Sequence, residues 1–465
     1  MIFKQYYLGC LSHASYLIAD TRTRTAIVVD PQRDVQKYID DAQALGLDLY
    51  HVFLTHLHAD FVAGHLELRE RVGARIYLGA GAKPGFQHTE LHDGDTLEFG
   101  DVRLRILATP GHTPESISIV VYDLAKSERA PHAVLTGDAL FVGDVGRPDL
   151  LGAVGLKAED LGSMLYDSLH KKLLALPDET LVYPAHGAGS LCGKNLGPEN
   201  SSTIGAERAK NPALRPMSRE DFIRSVLAEQ PEAPGYFIHD RLMNQAEHAT
   251  MDETLAAALQ PLPLEALLRL ANDGVTIVDT RDADAFAAGH LAGSLNIGLG
   301  GQYATWAGTV LDRAGRIAIV SEPGMEEESA MRLGRIGYDN VAGFLQDGPG
   351  AWKSRPELVE ASHRAGPWDI VAMLTEPDAP LVVDVRTPRE FAAGHIEGSV
   401  NVPLNRLTKE ASKLPHGRTL ALICRTGYRS SLAASLLARI GLRSTIDVAG
   451  GWVAWQAMKP QEISR

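Results

Sequence analysis

Two imidazoles and a carboxylate fall within five residues of one another, at His56, His58 and Asp60. They follow the apolar run from Tyr50 to Leu54, which predicts a buried strand. Residues two apart point the same way where a chain leaves a strand, so both imidazoles can face one pocket with the carboxylate within reach. This spacing is typical of metal ligands, although a histidine pair alone is as often a surface or core feature.

Three later segments also place a ligand-type side chain just past a short apolar run. His112 follows the run 102–108, Asp138 follows 133–135, and His186 lies directly behind Tyr183 to Ala185. Each of the three adjoins a glycine, which lets the backbone approach a centre closely. Four such clusters in one region of the chain predict a metal site.

These residues resemble the ligands of the metallo-β-lactamase superfamily, whose metal residues lie on loops at the edge of a four-layer αββα sandwich. The matching residues are His56, His58, Asp60, His112, Asp138 and His186. Two-metal members such as glyoxalase II have a histidine directly after the aspartate, where this chain has Phe61. Because phenylalanine cannot bind a metal, we expect one metal ion per chain.

With a single metal, the chain resembles the persulfide dioxygenases, which bind one Fe(II) through two histidines and one aspartate. The resemblance implies His56, His112 and Asp138 as the ligands, and it extends through the runs 137–141 and 146–150. A facial set of two histidines and one carboxylate leaves positions on Fe(II) for a substrate sulfur and O₂.

The resemblance also implies the reactants and the supporting residues. Low-molecular-weight thiol persulfides and O₂ are the expected substrates, and sulfite is the expected product. His58, Asp60 and His186 would orient ligands or bound water. A zinc thioester hydrolase of the glyoxalase II type remains the alternative, because imidazole and carboxylate also suit zinc.

Cys192 follows the His186 loop closely in the sequence. The pattern leaves two interpretations open: a substrate or redox-sensitive thiol beside the iron, or an inert small hydrophobic residue.

Length and composition predict a globular protein of about three domains, which we place at 1–250, 251–360 and 361–465. Three cysteines are too few for a disulfide framework and fit a reducing compartment, so we expect a cytoplasmic protein. No apolar segment is long enough to span a bilayer, and residues 1–20 lack the pattern of a signal peptide. The net charge of −13 argues against nucleic acid as a partner.

An internal repeat connects the second and third predicted domains. The segment from Val278 to Ile297 returns as Val383 to Val402, at an offset of 105 residues. A repeat of this length indicates a duplicated domain. The shared order of strand, Asp, Arg, helix, Gly-His, Gly-Ser and Asn resembles the rhodanese family, an α/β fold with a central parallel sheet. The expected fold class is therefore multidomain α/β: an αββα sandwich followed by two rhodanese domains.

In the third domain, the apolar strand 420–423 continues into Cys424–Arg429 and then into a predicted helix from Ser430 to Ile440. This segment resembles the rhodanese active-site loop. Inward-pointing backbone amides, the helix dipole and the charges of Arg425 and Arg429 all favour a thiolate at Cys424. Such a thiolate can accept a sulfane sulfur and pass it on, which makes thiosulfate and sulfite further expected partners.

In the middle copy the corresponding loop is Ser321–Glu326. Serine replaces the nucleophile, and glutamates replace both arginines. Serine is too weakly acidic to act without a base, and glutamate repels anionic sulfur donors. We interpret this copy as a catalytically silent spacer or docking surface, and on that ground we expect a homo-oligomer. A purely non-enzymatic scaffold would leave the ligand set and the cysteine loop without a purpose.

Overall fold

A computed structural model describes residues 1–150, 152 and 155–458. They form two compact units: Met1–Met251 with Gly334–Gly337, and Asp252–Leu333 with the described residues from Tyr338 on. The last part of the third predicted domain, 459–465, lies outside the described residues. In the described part of the chain, no helix is both long and apolar enough to cross a membrane.

The first unit contains two six-stranded sheets. The strands of the first sheet follow one another in space as they do in sequence. They are β1 (Ile2–Leu8), β2 (His13–Asp20), β3 (Thr25–Val29), β4 (Asp48–Phe53), β5 (Arg75–Gly79) and β6 (Thr89–Leu91). The second sheet consists of β7 (Thr96–Phe99), β8 (Val102–Ala108), β9 (Ile117–Asp123), β10 (Ala133–Gly137), β11 (Leu181–Pro184) and β12 (Ser202–Thr203). Its spatial order is β12-β11-β10-β9-β8-β7.

Helices cover the outer faces of both sheets. They are α1 (Gln36–Ala44), α2 (His65–Val72), α3 (Ala158–Asp167), α4 (Ile204–Lys210), α5 (Arg219–Leu227) and α6 (Tyr236–Gln245). Between the sheets, buried side chains such as Ile18 and Val121 form one apolar core, and a second core beneath α3 and α5 includes Val134 and Phe222. Helices α1 and α2 lie against β4. The predicted αββα sandwich is confirmed.

The second unit contains two five-stranded parallel sheets, as the repeat predicts. The first has the order β13-β18-β17-β14-β16 and the second has the order β20-β24-β23-β21-β22. The strands are β13 (Pro261–Leu262), β14 (Thr276–Asp279), β15 (His290–Leu291), β16 (Leu295–Asn296), β17 (Ile317–Val320), β18 (Val341–Leu345), β19 (Val359–Glu360), β20 (His363–Ala365), β21 (Leu381–Asp384), β22 (Val400–Asn401), β23 (Leu420–Ile423) and β24 (Thr445–Val448). Strands β15 and β19 form a separate antiparallel pair.

Among the described residues, ten further helices accompany these sheets. They are α7 (Met251–Ala258), α8 (Leu264–Asn272), α9 (Ala283–Ala288), α10 (Tyr303–Val310), α11 (Glu326–Gly334), α12 (Pro367–Leu374), α13 (Pro388–Ala392), α14 (Leu407–Glu410), α15 (Tyr428–Arg439) and α16 (Gly451–Ala457). The two sheets lie on either side of residue 360 in the sequence. The division of the chain at 250 and 360 remains our proposal.

The repeated Asp-x-Arg motif has the same structural role in both copies. Arg281 donates to Asp279 at 2.6 Å, and Arg386 donates to Asp384 at 2.6 Å. Each arginine also donates to the carbonyl of the glycine that precedes the repeated histidine. These buried charge-assisted hydrogen bonds tie the end of a central strand to the following helix.

Candidate metal site and sulfur-transfer loop

His56 lies three residues beyond the end of β4, and the preceding residue, Thr55, fixes the orientation of its imidazole ring. Asp30 accepts hydrogen bonds from the Thr55 backbone N–H at 2.7 Å and from the Thr55 hydroxyl at 2.8 Å. The Thr55 oxygen lies 3.0 Å from His56 Nδ1. Because the hydroxyl already donates to Asp30, it accepts from Nδ1–H, which leaves Nε2 of His56 with a free lone pair.

His112 follows β8 and is oriented in the same way by a backbone group. Its Nδ1 lies 2.9 Å from the carbonyl oxygen of Arg147. A carbonyl oxygen can only accept, so Nδ1 carries the proton and Nε2 is again the free nitrogen.

Asp138 follows β10 and brings the two imidazoles to one point. Its Oδ2 lies 3.4 Å from His112 Nε2 and 3.8 Å from His56 Nε2. Its Oδ1 accepts a hydrogen bond from His186 Nδ1 at 2.8 Å. Oδ2 is buried and has no hydrogen-bond partner in the described structure. Three lone pairs therefore converge on one buried position.

The protonation states of these residues suit a metal ion. Burial lowers the pKa of His56 well below its usual value and also lowers the pKa of His112. Burial alone would raise the pKa of Asp138, but the surrounding histidines, His186 foremost, hold it well below its usual value. Two neutral imidazoles and an ionised carboxylate are the forms that bind a divalent cation.

The donor set fits a non-haem ferrous ion. Two imidazole nitrogens and one carboxylate oxygen are the ligands of the facial triad, and an unpartnered buried oxygen such as Asp138 Oδ2 requires a cation or donor. The surrounding backbone is close-fitting, since a Cβ at Gly146 would lie 1.8 Å from the Asp138 carbonyl oxygen. Only glycine allows that approach, and it adjoins the Arg147 carbonyl that orients His112.

The three predicted supporting residues lie beside the ligands. His186 Nε2 is 2.9 Å from Asp60 Oδ2, so this imidazole bridges Asp60 and Asp138. Burial alone would lower the pKa of His186, but Asp138 and Asp60 raise it well above its usual value. His58 Nε2 lies 3.0 Å from Asp30 Oδ1 and is not part of the converging group.

The ring of Phe61 packs beside two buried histidines. The ring lies 4.5 Å from that of His58 and 4.0 Å from that of His13. His13 is buried, and neither ring nitrogen has a hydrogen-bond partner in the described structure. The aromatic ring makes this side of the site apolar.

Cys192 lies with Asp60 and His186 in a second buried group, whose ligand-type atoms are all within 4.8 Å of one another. Burial raises the pKa of the Cys192 thiol well above its usual value, and Asp60 and Asp138 raise it further. A neutral thiol is a poor nucleophile. This environment favours the inert-thiol interpretation over the reactive one.

The sequence did not single out three residues that orient the ligands: Asp30, Thr55 and Arg147. Thr55 precedes His56 directly, and a hydroxyl beside a candidate ligand was the one signal available. Asp30 is distant in sequence, and Arg147 acts through its carbonyl, which any residue type provides.

Cys424 lies at the end of β23 in the second unit, at the base of a turn that leads into α15. The Gly427 backbone N–H donates to its sulfur at 3.1 Å, and the Ser430 hydroxyl lies 3.5 Å from the same atom. Gly427 has φ of +92°, which turns its amide toward the sulfur. One backbone amide and one hydroxyl thus lie close to the Cys424 sulfur.

The two predicted arginines of this loop differ in environment. Arg425 is exposed at the loop. Arg429 is paired with Glu390, with contacts of 2.8 and 2.7 Å to its two carboxylate oxygens. The charge of Arg429 is therefore shared with a carboxylate, a pairing that the local sequence does not predict.

The middle copy, which we call the silent copy after our interpretation of its loop, has the same turn with different contacts. Gly324 has φ of +90°, as Gly427 has +92°. The backbone N–H of Gly324 donates to the Glu326 carboxylate at 2.9 Å. The amide that contacts sulfur in one copy is therefore occupied by an acidic side chain in the other.

Comparison with known proteins extends this description. The model of the metallo-beta-lactamase superfamily matches residues 8–186, and that of the rhodanese-like domain matches 263–355 and 369–458. The mitochondrial persulfide dioxygenase ETHE1 of Bos taurus is 33% identical over 218 residues, which cover 45% of this chain and 74% of that protein. The chain belongs to the metallo-β-lactamase superfamily, with the architecture of a persulfide dioxygenase–rhodanese fusion.

Other relatives of this fusion show the breadth of the superfamily. A hydroxyacylglutathione hydrolase of Gloeobacter violaceus is 34% identical over 245 residues, which cover 47% of this chain and 89% of that protein. A solved structure of a metallo-beta-lactamase from Staphylococcus aureus is 31% identical and covers 74% of this chain and 99% of its own, with a TM-score of 0.66. Both an oxidative and a hydrolytic activity thus occur among similar proteins.

Proposed function

We propose that the first unit is a persulfide dioxygenase that holds one Fe(II) through His56, His112 and Asp138. The convergence of two free Nε2 atoms on the unpartnered Asp138 Oδ2 carries this proposal. When bound, Fe(II) would supply open positions for a persulfide sulfur and O₂. The overall reaction consumes one persulfide, one O₂ and one water, and it yields the parent thiol, sulfite and two protons.

The chain's own residues prepare this reaction. Thr55 orients His56, and the Arg147 carbonyl orients His112. Ligands held in this way would give the bound persulfide and O₂ a fixed relative geometry. His186 holds Asp138 Oδ1 and leaves Oδ2 for the cation. The Phe61 ring places apolar surface beside the buried imidazoles of His13 and His58.

We propose that the last domain is a sulfurtransferase that acts through Cys424. The Cys424 thiolate attacks the outer sulfur of thiosulfate, the sulfur–sulfur bond breaks, and sulfite leaves with the bonding electrons. The cysteine persulfide then transfers its outer sulfur to an acceptor thiolate or cyanide. In the reverse direction, sulfite takes the sulfane sulfur and forms thiosulfate. Together the two activities suit sulfide detoxification.

A zinc thioester hydrolase is the second candidate for the first unit. The hydroxyacylglutathione hydrolase among the relatives favours it. Phe61 argues against it, because the two-metal hydrolases use a histidine at that position. Hydrolysis of a glutathione thioester on addition of zinc, without O₂ consumption, would support this candidate.

The test of the first proposal is aerobic O₂ uptake with glutathione persulfide, with iron quantified in each preparation. We expect His112→Ala to lose both iron and O₂ uptake. The matched control is His92→Ala, because His92 is an exposed histidine of the same unit and lies outside the site. Uptake that survives His112→Ala would refute the proposed iron site.

We further propose a cytoplasmic location, consistent with the three free cysteines, and a homo-oligomeric assembly. Light scattering of the full-length protein measures the number of subunits.

A further inference from the structure

The active-site loop of the last domain contacts the silent copy through one side chain. Tyr428 directly follows Gly427, whose N–H donates to the Cys424 sulfur. The Tyr428 hydroxyl donates to the carbonyl oxygen of Gly298 at 2.8 Å. Gly298 belongs to the silent copy, in the segment 297–302 that joins β16 to α10. We call this segment the bracing loop.

The bracing loop fits the tyrosine ring only because it carries glycine. A Cβ at Gly301 would lie 2.5 Å from Tyr428 Cε2 and 2.8 Å from two further ring atoms. A Cβ at Gly298 would lie 3.5 Å from the ring. In contrast, a Cβ at Gly300 would meet nothing within 4 Å. The Tyr428 ring therefore packs directly against the backbone of Gly301, where a side chain would collide with it.

The bracing loop is itself held by the silent copy. Arg332, on α11, donates to the carbonyls of Leu299 at 2.7 Å and Gly301 at 3.0 Å. Helix α11 follows the degenerate loop Ser321–Glu326, in the position that α15 has in the active copy. Helix α11 thus supports the loop that contacts α15 of the other copy.

A second link joins the silent copy to the first turns of α15. The Ser431 hydroxyl donates to Asn296 Oδ1 at 2.6 Å, and the Asn296 backbone N–H donates to the Ser435 hydroxyl at 3.1 Å. Asn296 keeps its internal role, since its Nδ2 donates to the carbonyls of Asp279 and Arg281. These side chains are buried, so their hydrogen bonds are well shielded from water.

We propose that the silent rhodanese copy positions the sulfur-transfer loop of the active copy, with Tyr428 as the positioning residue. The catalytic loop continues into α15 at Gly427 and Tyr428, so a shift of the Tyr428 ring moves the adjoining Gly427 amide that contacts the sulfur. This proposal rests on the proposed sulfurtransferase activity of Cys424. It gives the silent copy a function that needs no nucleophile of its own.

The test compares Gly301→Ala with Gly300→Ala in the full-length protein, using sulfur transfer from thiosulfate to cyanide. We expect Gly301→Ala to lower kcat at least about fivefold with little change in the KM for thiosulfate, because misplacement of a reacting atom mainly costs rate. Gly300→Ala should keep the wild-type kcat. Tyr428→Phe, which retains the ring and loses the hydrogen bond, should lower kcat by a smaller factor.

Two controls separate the possible failures. All five tryptophans of the chain lie beyond residue 300, so their fluorescence reports folding of the second unit. If Gly301→Ala fails to fold, Tyr428→Phe becomes the test of the proposal. An unchanged kcat in Tyr428→Phe then overturns the proposal. A folded Gly301→Ala protein with wild-type kcat also overturns it. If wild-type protein transfers no sulfur, or Cys424→Ser still does, the proposed function itself has failed.

Discussion

The metal site depends on which nitrogen of each histidine is free. Neighbouring acceptors receive hydrogen bonds from Nδ1–H of His56 and of His112. Both unprotonated Nε2 atoms therefore face Asp138. Such supporting hydrogen bonds tune metal affinity without contacting the metal. The Thr55 hydroxyl contacts His56 directly, and a substitution can remove it.

We expect Thr55→Val to weaken Fe(II) binding about 10- to 100-fold, because His56 loses the acceptor that fixes its tautomer. Competition with a coloured chelator measures the affinity. The matched control is Thr180→Val, since Thr180 is also fully buried and its hydroxyl has no hydrogen-bond partner in the described structure. Equal iron affinity in the two variants would contradict the role of the Thr55 hydroxyl.

The Glu390–Arg429 pair predicts a pH dependence of stability. Burial alone would raise the pKa of Glu390, but its hydrogen bonds from Arg429 lower it to about 2. Because the folded-state pKa lies below the unfolded one, this stabilisation is present above about pH 4.5 and is lost as the pH falls toward 2. We expect Glu390→Gln to destabilise the second unit at pH 7 and to have a shrinking effect below pH 4.5.

Tryptophan fluorescence during thermal unfolding measures this effect, because every tryptophan lies in the second unit. Glu397→Gln serves as control, since Glu397 is exposed in the same domain. A Glu390→Gln effect that stays constant from pH 7 to pH 3 would show that the ion pair does not cause it.

The sequence predicts the three residues that converge, but not the groups that orient them. His56, His112 and Asp138 each lie within four residues of the end of a strand, so local apolar runs indicate that they share one edge of the fold. Asp30 orients Thr55 from 25 residues away, and Arg147 contributes a carbonyl that has no signature in the sequence. Contacts of this kind depend on tertiary structure.

At the scale of elements, two loops of the same backbone shape differ in what their amides contact. In the active copy Gly427 donates to the Cys424 sulfur, whereas in the silent copy Gly324 donates to Glu326. Restoring the nucleophile alone would therefore leave the donor occupied and an acidic group beside the cysteine. Acidic neighbours disfavour both a thiolate and an anionic donor.

We expect Ser321→Cys, placed in a Cys424→Ser background, to give no measurable sulfur transfer from thiosulfate. The wild-type protein in the same assay is the positive control, and alkylation of the new thiol by iodoacetamide in the unfolded protein confirms that it is present. Transfer at a substantial fraction of the wild-type rate would show that Glu326 does not silence the loop.

The sequence also predicts the positions of several strands, because short apolar runs mark them. The predicted strand 102–108 matches β8, and 420–423 matches β23. The helix predicted from Ser430 begins earlier, at Tyr428. The positive φ of Gly427 lets the helix start directly after it, and that early start places Tyr428 where it reaches the bracing loop.

At the scale of the whole molecule, the two proposed sites belong to different compact units. We therefore expect Cys424→Ser to abolish sulfur transfer from thiosulfate while leaving O₂ uptake on glutathione persulfide unchanged. Both assays are run on one preparation, with iron content as the control. Equal loss of the two activities would contradict independent sites.

We propose that one Fe(II) per chain supports the oxidation. Metal-free protein is titrated anaerobically with Fe(II), and O₂ uptake on glutathione persulfide is measured at each step. We predict that uptake rises linearly to one Fe(II) per chain and then stays constant, with one sulfite formed for each O₂ consumed. Activity that requires two metal ions per chain, or thioester hydrolysis with zinc in place of O₂ uptake, would contradict it.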